Sequence, residues 1–208
     1  MVETVIPRGA FELHLRDLPP VSEANALTVD LRVEERLHSG MATVMSRGDD
    51  RALVARIRDA FGIALPSGPQ RVSNGDQAFI GIGPGVWLAM FGKAGPLMAS
   101  ELASSLAGLA SVADQTSAYA VLRLTGNVAN EVLSRGAFID FDPSVFGPGY
   151  AAVTTISHIG VLIWQIDDAP TFEVALFSSY ADSFWHWMTT ACGALGVRLV
   201  RDGRSARI

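Results

Sequence analysis

Few residues of this 208-residue chain are placed by type and spacing to do chemistry. Thr155-Ile156-Ser157-His158-Ile159-Gly160 is the nearest approach to a G-x-S-x-G nucleophile elbow, but it lacks the first glycine and lies in an apolar, strand-like region. The four histidines, His14, His38, His158 and His186, stand apart, and none has the i,i+4 partner of a helical metal pair. The single cysteine, Cys192, can form no internal disulfide and cannot supply a multi-cysteine zinc site. Asp49-Asp50 and Asp167-Asp168 have local explanations, a helix cap and a turn. Gly83-Pro84-Gly85 suggests a phosphate cradle only at first sight. A Val-Trp-Leu strand pattern follows it rather than the helix N-terminus a phosphate needs, so it reads as a turn. No catalytic residue, cofactor ligand or metal ligand is assigned on these grounds, although carboxylates converging from distant segments would leave no local trace.

The elements that would position any site run as follows. Residues 1–26, with Pro7, Pro19 and Pro20, read as an arm laid over a surface, and 27–208 as a single domain. From Leu27 to Glu34 the apolar Leu27, Val29, Leu31 and Val33 alternate with polar residues, as in a strand with one buried face. Asp49-Asp50 opens a helix carrying Leu53, Ile57 and Phe61, which Gly62 ends. Residues 66–75 read as loop, and two strands meet across Gly83-Pro84-Gly85. A helix follows over 97–109, then a strand over 117–124 with Ala118, Ala120, Leu122 and Leu124 on its core face. Asn127 is placed to cap a short helix closed by Gly136. Residues 138–150 are irregular. Val161–Ile166 is apolar at nearly every position, as in a central strand buried on both faces, with Phe172–Phe177 as its antiparallel neighbour.

The last helix, about Tyr180 to Leu195, carries Tyr180, Phe184, Trp187, Met188, Ala191 and Leu195 on one stripe at about 100° per residue. Trp185 falls off that stripe, so either the N-terminal arm covers it or it is offered to another chain; the partner reading is preferred, which makes Trp185 the candidate interface residue. The tail bearing Arg198, Arg201, Arg204 and Arg207 reads as fraying into solvent. Hairpins beside helices, without a repeated parallel signature, give an α+β class with antiparallel or mixed sheets layered with helices.

Charged residues make up 18% of the chain, below the roughly 25% of an average soluble domain, so part of the surface is expected to lie under a partner. A net charge of −5 without a basic run argues against nucleic acid and anionic membranes. There is no signal-peptide pattern and no apolar run of the ~18 residues that span a bilayer, so a cytoplasmic location is expected.

The order of residues from Asp114-Gln115-Thr116-Ser117 through Leu122-Arg123-Leu124-Thr125-Gly126 to Ala129 and Leu133, continuing through Val161–Ile166, Phe172–Phe177 and the Trp187 helix, resembles one half of the aminomethyltransferase (T-protein) fold. It resembles most closely the gamma subunits of heterotetrameric sarcosine oxidases. The resemblance covers roughly residues 78–195 and implies a folate-binding-type fold. Folate-dependent members carry an Asp just before the strand matching Val161–Ile166, where this chain has His158-Ile159-Gly160. The resemblance therefore implies a fold without its own reaction: a non-catalytic companion of flavoprotein alpha and beta subunits and a small delta subunit. That complex would carry FAD, FMN, NAD and tetrahydrofolate, oxidise sarcosine to glycine with release of peroxide, and pass a one-carbon unit to folate. The alternatives are a stand-alone folate-binding aminomethyltransferase-like protein and a monomeric binding module for some other partner.

Overall fold

The computed structural model describes residues 9–21, 29–37, 40–48, 50–92, 95 and 97–201. In chain order the elements are α1 (Glu12–Arg16), β1 (Val29–Glu35), β2 (Gly40–Ser46), α2 (Asp50–Phe61), β3 (Arg71–Asn74), β4 (Gln77–Gly83), β5 (Val86–Phe91), α3 (Met98–Ser105), β6 (Ala110–Asp114), β7 (Tyr119–Thr125), α4 (Ala129–Ser134), β8 (Ala151–Ile156), β9 (Ile159–Asp167), β10 (Thr171–Phe177), α5 (Ala181–Ala194) and β11 (Val197–Arg201). They form a six-stranded sheet ordered β11-β1-β7-β10-β9-β8 and a five-stranded sheet ordered β3-β4-β5-β2-β6. Among the described strand pairs β1–β11 is parallel, as is the isolated Pro20–Arg201 bridge beside it; the other strand pairs are antiparallel. The class is α+β, as the mixture of hairpins and helices implied.

Three apolar layers hold the two sheets together. On the outer face of the six-stranded sheet, Phe172, Val174, Leu122 and Ile163 pack under α1, α4 and α5 through Phe11, Val132, Phe184 and Met188. On the outer face of the five-stranded sheet, Val44, Phe79 and Ala89 pack under α2 and α3 through Leu53, Ile57 and Leu102. Between the sheets lie Met41, Ile80, Leu88, Met90, Val121, Leu162, Trp164 and Ala175. Strands buried on both sides must be apolar at nearly every position, which is why Val161–Ile166 reads as a continuous run rather than an alternation.

The whole five-stranded sheet is inserted between β1 and β7, which are neighbours in the other sheet. Thr116 marks the point where the chain leaves it. Its hydroxyl accepts from the Met41 amide at 3.1 Å and its own amide donates to Asp114 at 2.9 Å, so the entry and exit of the insertion are tied together.

Several expectations need correction. Within the expected arm, Glu12–Arg16 is a short helix that buries Phe11 and Leu15, because the arm supplies core rather than lying on a finished surface. Arg71–Asn74, inside the expected loop, is an edge strand. Ala110–Asp114 is a strand, so the helix expected to run to residue 109 ends at Ser105. Asn127 is not the cap of α4: the N-cap position is Val128, with no side-chain bond, and the Gly126 carbonyl accepts from the Ala129 amide at 2.8 Å as the chain turns into the helix. The tail does not fray at Arg198 and Arg201, which lie in β11, where Arg198 makes a two-pronged pair with Asp30 at 2.9 Å from each nitrogen. Leu27, Asp49, Arg204 and Arg207 lie outside the described residues.

Candidate functional site

The residues that the sequence offered for chemistry are scattered. His14 sits on α1, where its Nε2 lies 2.7 Å from Asp182 and its ring stacks on Trp185. His158 occupies the β8–β9 turn with φ 70°, His186 is exposed on α5, and His38 lies outside the described residues. Cys192 is buried in the helix layer, where loss of solvent pushes its thiol up to about 11 and leaves it protonated and inert. Gly83-Pro84-Gly85 is the tight β4–β5 connection expected of it. Asp167 accepts from the Ala169 amide at 3.0 Å, as a turn residue does. Among the described residues no group of three or more His, Cys, Asp or Glu is placed to hold a metal ion.

The polar centre of the molecule is one that sequence reasoning missed. Along β10 the side chains alternate, so Phe172, Val174 and Leu176 enter the helix-side core while Glu173 and Ala175 face the other sheet. Glu173 is only 4% exposed. The register sets it directly opposite Arg123 on β7 and Trp164 on β9. Its Oε1 accepts from Arg123 Nε at 3.0 Å and Nη2 at 2.6 Å, with Arg36 Nε at 3.3 Å. Its Oε2 accepts from the Trp164 indole at 2.8 Å. From the facing sheet comes Arg71, whose Nη1 donates to Ser73 at 2.9 Å while its buried Nε has no partner. Burial holds the Arg71 guanidinium below its ordinary range; Arg123 and Arg36 add to that and Glu173 opposes it. Two guanidiniums and an indole, all of them donors, hold the carboxylate in place. The arrangement locks three neighbouring strands in register. The signal that could have found it is a lone acid and a lone base inside two apolar runs, Phe172–Phe177 and Val121–Leu124, which only the strand register brings opposite one another.

Trp185 is 8% exposed and covered by the arm: His14 lies parallel to it at 5.0 Å and Phe11 contacts it at 6.3 Å. The buried face of α5 is Ala181, Phe184, Trp185, Met188, Ala191 and Cys192, so the stripe is rotated from the expected one and Tyr180 is exposed. Trp185 was expected to face a partner; the reason it does not is α1, which widens the apolar surface available to α5 on the Trp185 side. Glu35 fixes that helix by accepting the Phe11 amide at 3.1 Å. Gly9 makes the approach possible, since a Cβ there would lie 2.1 Å from the Glu35 carboxylate.

The model of the sarcosine oxidase gamma subunit family (SoxG) matches residues 46–194. The chain belongs to that family. A heterotetrameric sarcosine oxidase from Corynebacterium sp. U-96, in complex with pyrrole 2-carboxylate, contains a chain that superimposes with a TM-score of 0.78 at 20% identity over 92% of this chain and 97% of that one. The glycine cleavage system aminomethyltransferase T from Bartonella henselae superimposes with a TM-score of 0.62 at 12% identity, over 92% of this chain and 58% of that one. At these identities the two structures establish a shared fold. No curated protein sequence matches the chain.

For a gamma-family chain with this fold, folate is the cofactor to test against the residues present. A pterin ring offers N–H donors and calls for a buried carboxylate with free oxygens at a cavity wall. The buried acids are Glu35 and Glu173. The first is turned to the backbone at Phe11 and the second is bound to Arg123, Arg36 and Trp164. A cavity of about 460 Å³ opens between α2 and α3, lined by Phe61, Phe91, Met98 and Leu102 with Glu101 and Gln77, but neither buried acid lines it. The turn before β9 supplies Ser157 and His158 rather than an acid. The described residues do not fit folate.

Proposed function

We propose that this chain is a non-catalytic structural subunit of a heterotetrameric sarcosine oxidase, assembled with flavoprotein alpha and beta subunits and a small delta subunit in the cytoplasm. The complex carries flavin and folate; the finer assignment is FAD, FMN, NAD and tetrahydrofolate, all held by the other subunits. It oxidatively demethylates sarcosine to glycine, releases peroxide and transfers a one-carbon unit to tetrahydrofolate. The observation that carries this reading is membership of the gamma subunit family across residues 46–194. The commitment of Glu173 to two arginines and an indole supports the non-catalytic part. Residues 27–208 act as one folding unit with 1–26 as its arm, a reading supported by the apolar layer shared between the two sheets.

The test is gentle purification of the tagged chain from its own source cells, followed by native mass and visible absorption. A large yellow complex that oxidises sarcosine with peroxide release is the expected result. A colourless species of about the chain's own 22.1 kDa overturns the proposal. Micromolar binding of tetrahydrofolate by the isolated chain would instead support the stand-alone folate protein.

A further inference from the structure

The cluster around Glu173 has one positive charge too many. Arg71 pairs with Ile80 across β3 and β4, and Ile80 belongs to the layer between the sheets, so Arg71 points toward the six-stranded sheet. There it joins Arg36 and Arg123, which puts three guanidiniums against two carboxylates. Glu173 takes Arg123 and Arg36, and Glu34 takes Arg36 at 3.3 Å. Arg71 makes no ion pair with any described residue. Burial and the two neighbouring arginines work against its charge, with Glu173 opposing them. A guanidinium nevertheless keeps its proton in a protein, so the isolated chain carries a partly buried cation without a counter-charge.

The open atoms of Arg71 form one edge. Nη1 donates to Ser73 Oγ at 2.9 Å, Nε is buried without a partner, and Nη2, also without a partner among the described residues, reaches solvent. Arg198 uses the same two nitrogens, Nε and Nη2, to hold both oxygens of Asp30, and Arg123 uses them to hold Glu173. That edge matches the two oxygens of a carboxylate, and a surplus of one positive charge calls for a single negative one. The cluster opens outward, with the Arg36 and Arg123 side chains 36% and 29% exposed. The Arg71 amide donates to the Gly149 carbonyl at 2.7 Å, and the next residue, Tyr150, is 48% exposed.

We propose that Arg71 receives the carboxylate of an aspartate or glutamate of a partner subunit, seated on its Nε–Nη2 edge and completing the cluster with Arg36, Arg123 and Glu173. The inference rests on the subunit reading above. Arginine and tyrosine at a surface opening are the residue types that carry most of the binding energy at interfaces. The net charge of −5 disfavours acidic groups elsewhere on this chain's surface, so the pair also helps to fix where the partner docks.

The test uses the full chain with its partner subunits and two variants. Arg71→Met keeps the length and loses the charge; Arg71→Lys keeps the charge and loses the fork. In the isolated chain Arg71→Met melts at or above the wild-type temperature, because it removes an unpaired cation. Its recovery of flavoprotein falls by at least about ten-fold, because the partner's acid is then buried without its cation. In the Arg71→Lys complex a carbodiimide joins the introduced amine to a partner carboxylate, and peptide mass spectrometry identifies the subunit. Loss of the complex from an Arg71→Lys chain that melts like wild type counts equally for the fork. Normal complex formation by Arg71→Met overturns the proposal and leaves the subunit reading intact. A cross-link that closes only onto Glu173 or Glu34 of the same chain, or none at all, does the same. A lower melting temperature for isolated Arg71→Met shows that Arg71 serves its own fold, and this also overturns the proposal. If acetate in place of chloride stabilises the isolated wild type but not Arg71→Met, while the variant still assembles, the site belongs to a small free acid and the partner assignment falls. If the wild-type chain recovers no flavoprotein, the subunit reading falls and this proposal falls with it.

Discussion

Replacing Glu173 by Gln is the perturbation that tests most directly what holds the sheets in register. The carboxylate accepts from Arg123 twice, from Arg36 and from the Trp164 indole, at 4% exposure. A glutamine is nearly isosteric but has one acceptor where the carboxylate has two. If its carbonyl meets the arginines, its NH2 faces the Trp164 N–H; if it flips, the NH2 faces the guanidiniums. Either way a buried donor is orphaned, at a cost of about 1–3 kcal/mol. The lost attraction to two guanidiniums adds to this. At an effective dielectric near 20 a pair at this distance is worth roughly 4 kcal/mol. The Arg side chains are about a third exposed, however, and relief of the carboxylate's own desolvation offsets much of the remainder. The net expectation is a loss of about 3 kcal/mol. For a chain of this size 1 kcal/mol corresponds to about 2–4 °C, so the melting temperature should fall by about 6–12 °C. Denaturant unfolding of wild type, Glu173→Gln, Arg123→Leu and the double variant gives the coupling directly. A Glu173→Gln loss below about 0.5 kcal/mol, or additivity of the two single losses within ~0.5 kcal/mol, would refute the account of this cluster as a lock.

Three further outcomes follow from the geometry. Burial raises Glu35 above its ordinary value, with the Phe11 and Ala10 amides opposing. A raised carboxyl contributes stability that is present below its unfolded pKa and lost as pH rises through the folded one, so wild type should gain on Glu35→Gln as pH falls from 7 to 5 in paired denaturant titrations; a gain in the opposite direction contradicts the burial argument. A Cβ at Gly81 would lie 2.0 Å from the Gly68 carbonyl, backbone against backbone. Gly81→Ala should therefore destabilise by about 1–3 kcal/mol, seen as a drop of several degrees in melting temperature, and an unchanged midpoint would show that the β4 contact is slack. Cys192, with its thiol near 11, is about a thousandth ionised at pH 8, so iodoacetamide followed by mass spectrometry should label it only as fast as the chain unfolds; labelling within minutes under native conditions contradicts its burial.

What could be read from the sequence was whatever a single element records in its own periodicity. Val161–Ile166 and Phe172–Phe177 read as strands because they are apolar at nearly every position, and Leu53, Ile57 and Phe61 mark a helix by spacing alone. The arm and the β11 tail were misread because each gains its structure only from a distant partner. Glu12–Arg16 is too short to be stable as an isolated helix and exists by burying Phe11 and Leu15 beside α5. Val197–Arg201 is a strand because β1, more than 160 residues earlier, offers it an edge and an aspartate for Arg198. The Glu173 cluster was hidden for the same reason. Its members lie on β3, β7, β9, β10 and the residue after β1, and no window of sequence holds more than two of them. Trp185 was read as lying off the apolar stripe, whereas it belongs to the buried face of α5, because residues 9–16 widen that face and nothing local in the sequence shows where they go.

The distribution of satisfied and unsatisfied groups separates what this fold does inwardly from what it offers outwardly. A catalytic centre is where a protein leaves charges, lone pairs and cavities incomplete so that a substrate can complete them. Among the described residues the buried reactive groups are engaged: Glu173 is held by Arg123, Arg36 and Trp164, Glu35 is turned to the backbone of its own arm, and Cys192 is protonated. Arg71 Nε is an exception, together with one oxygen each of Asn130 and Gln165. On the outer edge of the six-stranded sheet the ends of β8 are held as well, by Pro69 at Ala151 and by Gly136 at Ser157. The fold therefore commits its buried polar groups to holding its own elements together, which is what a chain that acts as a structural companion requires.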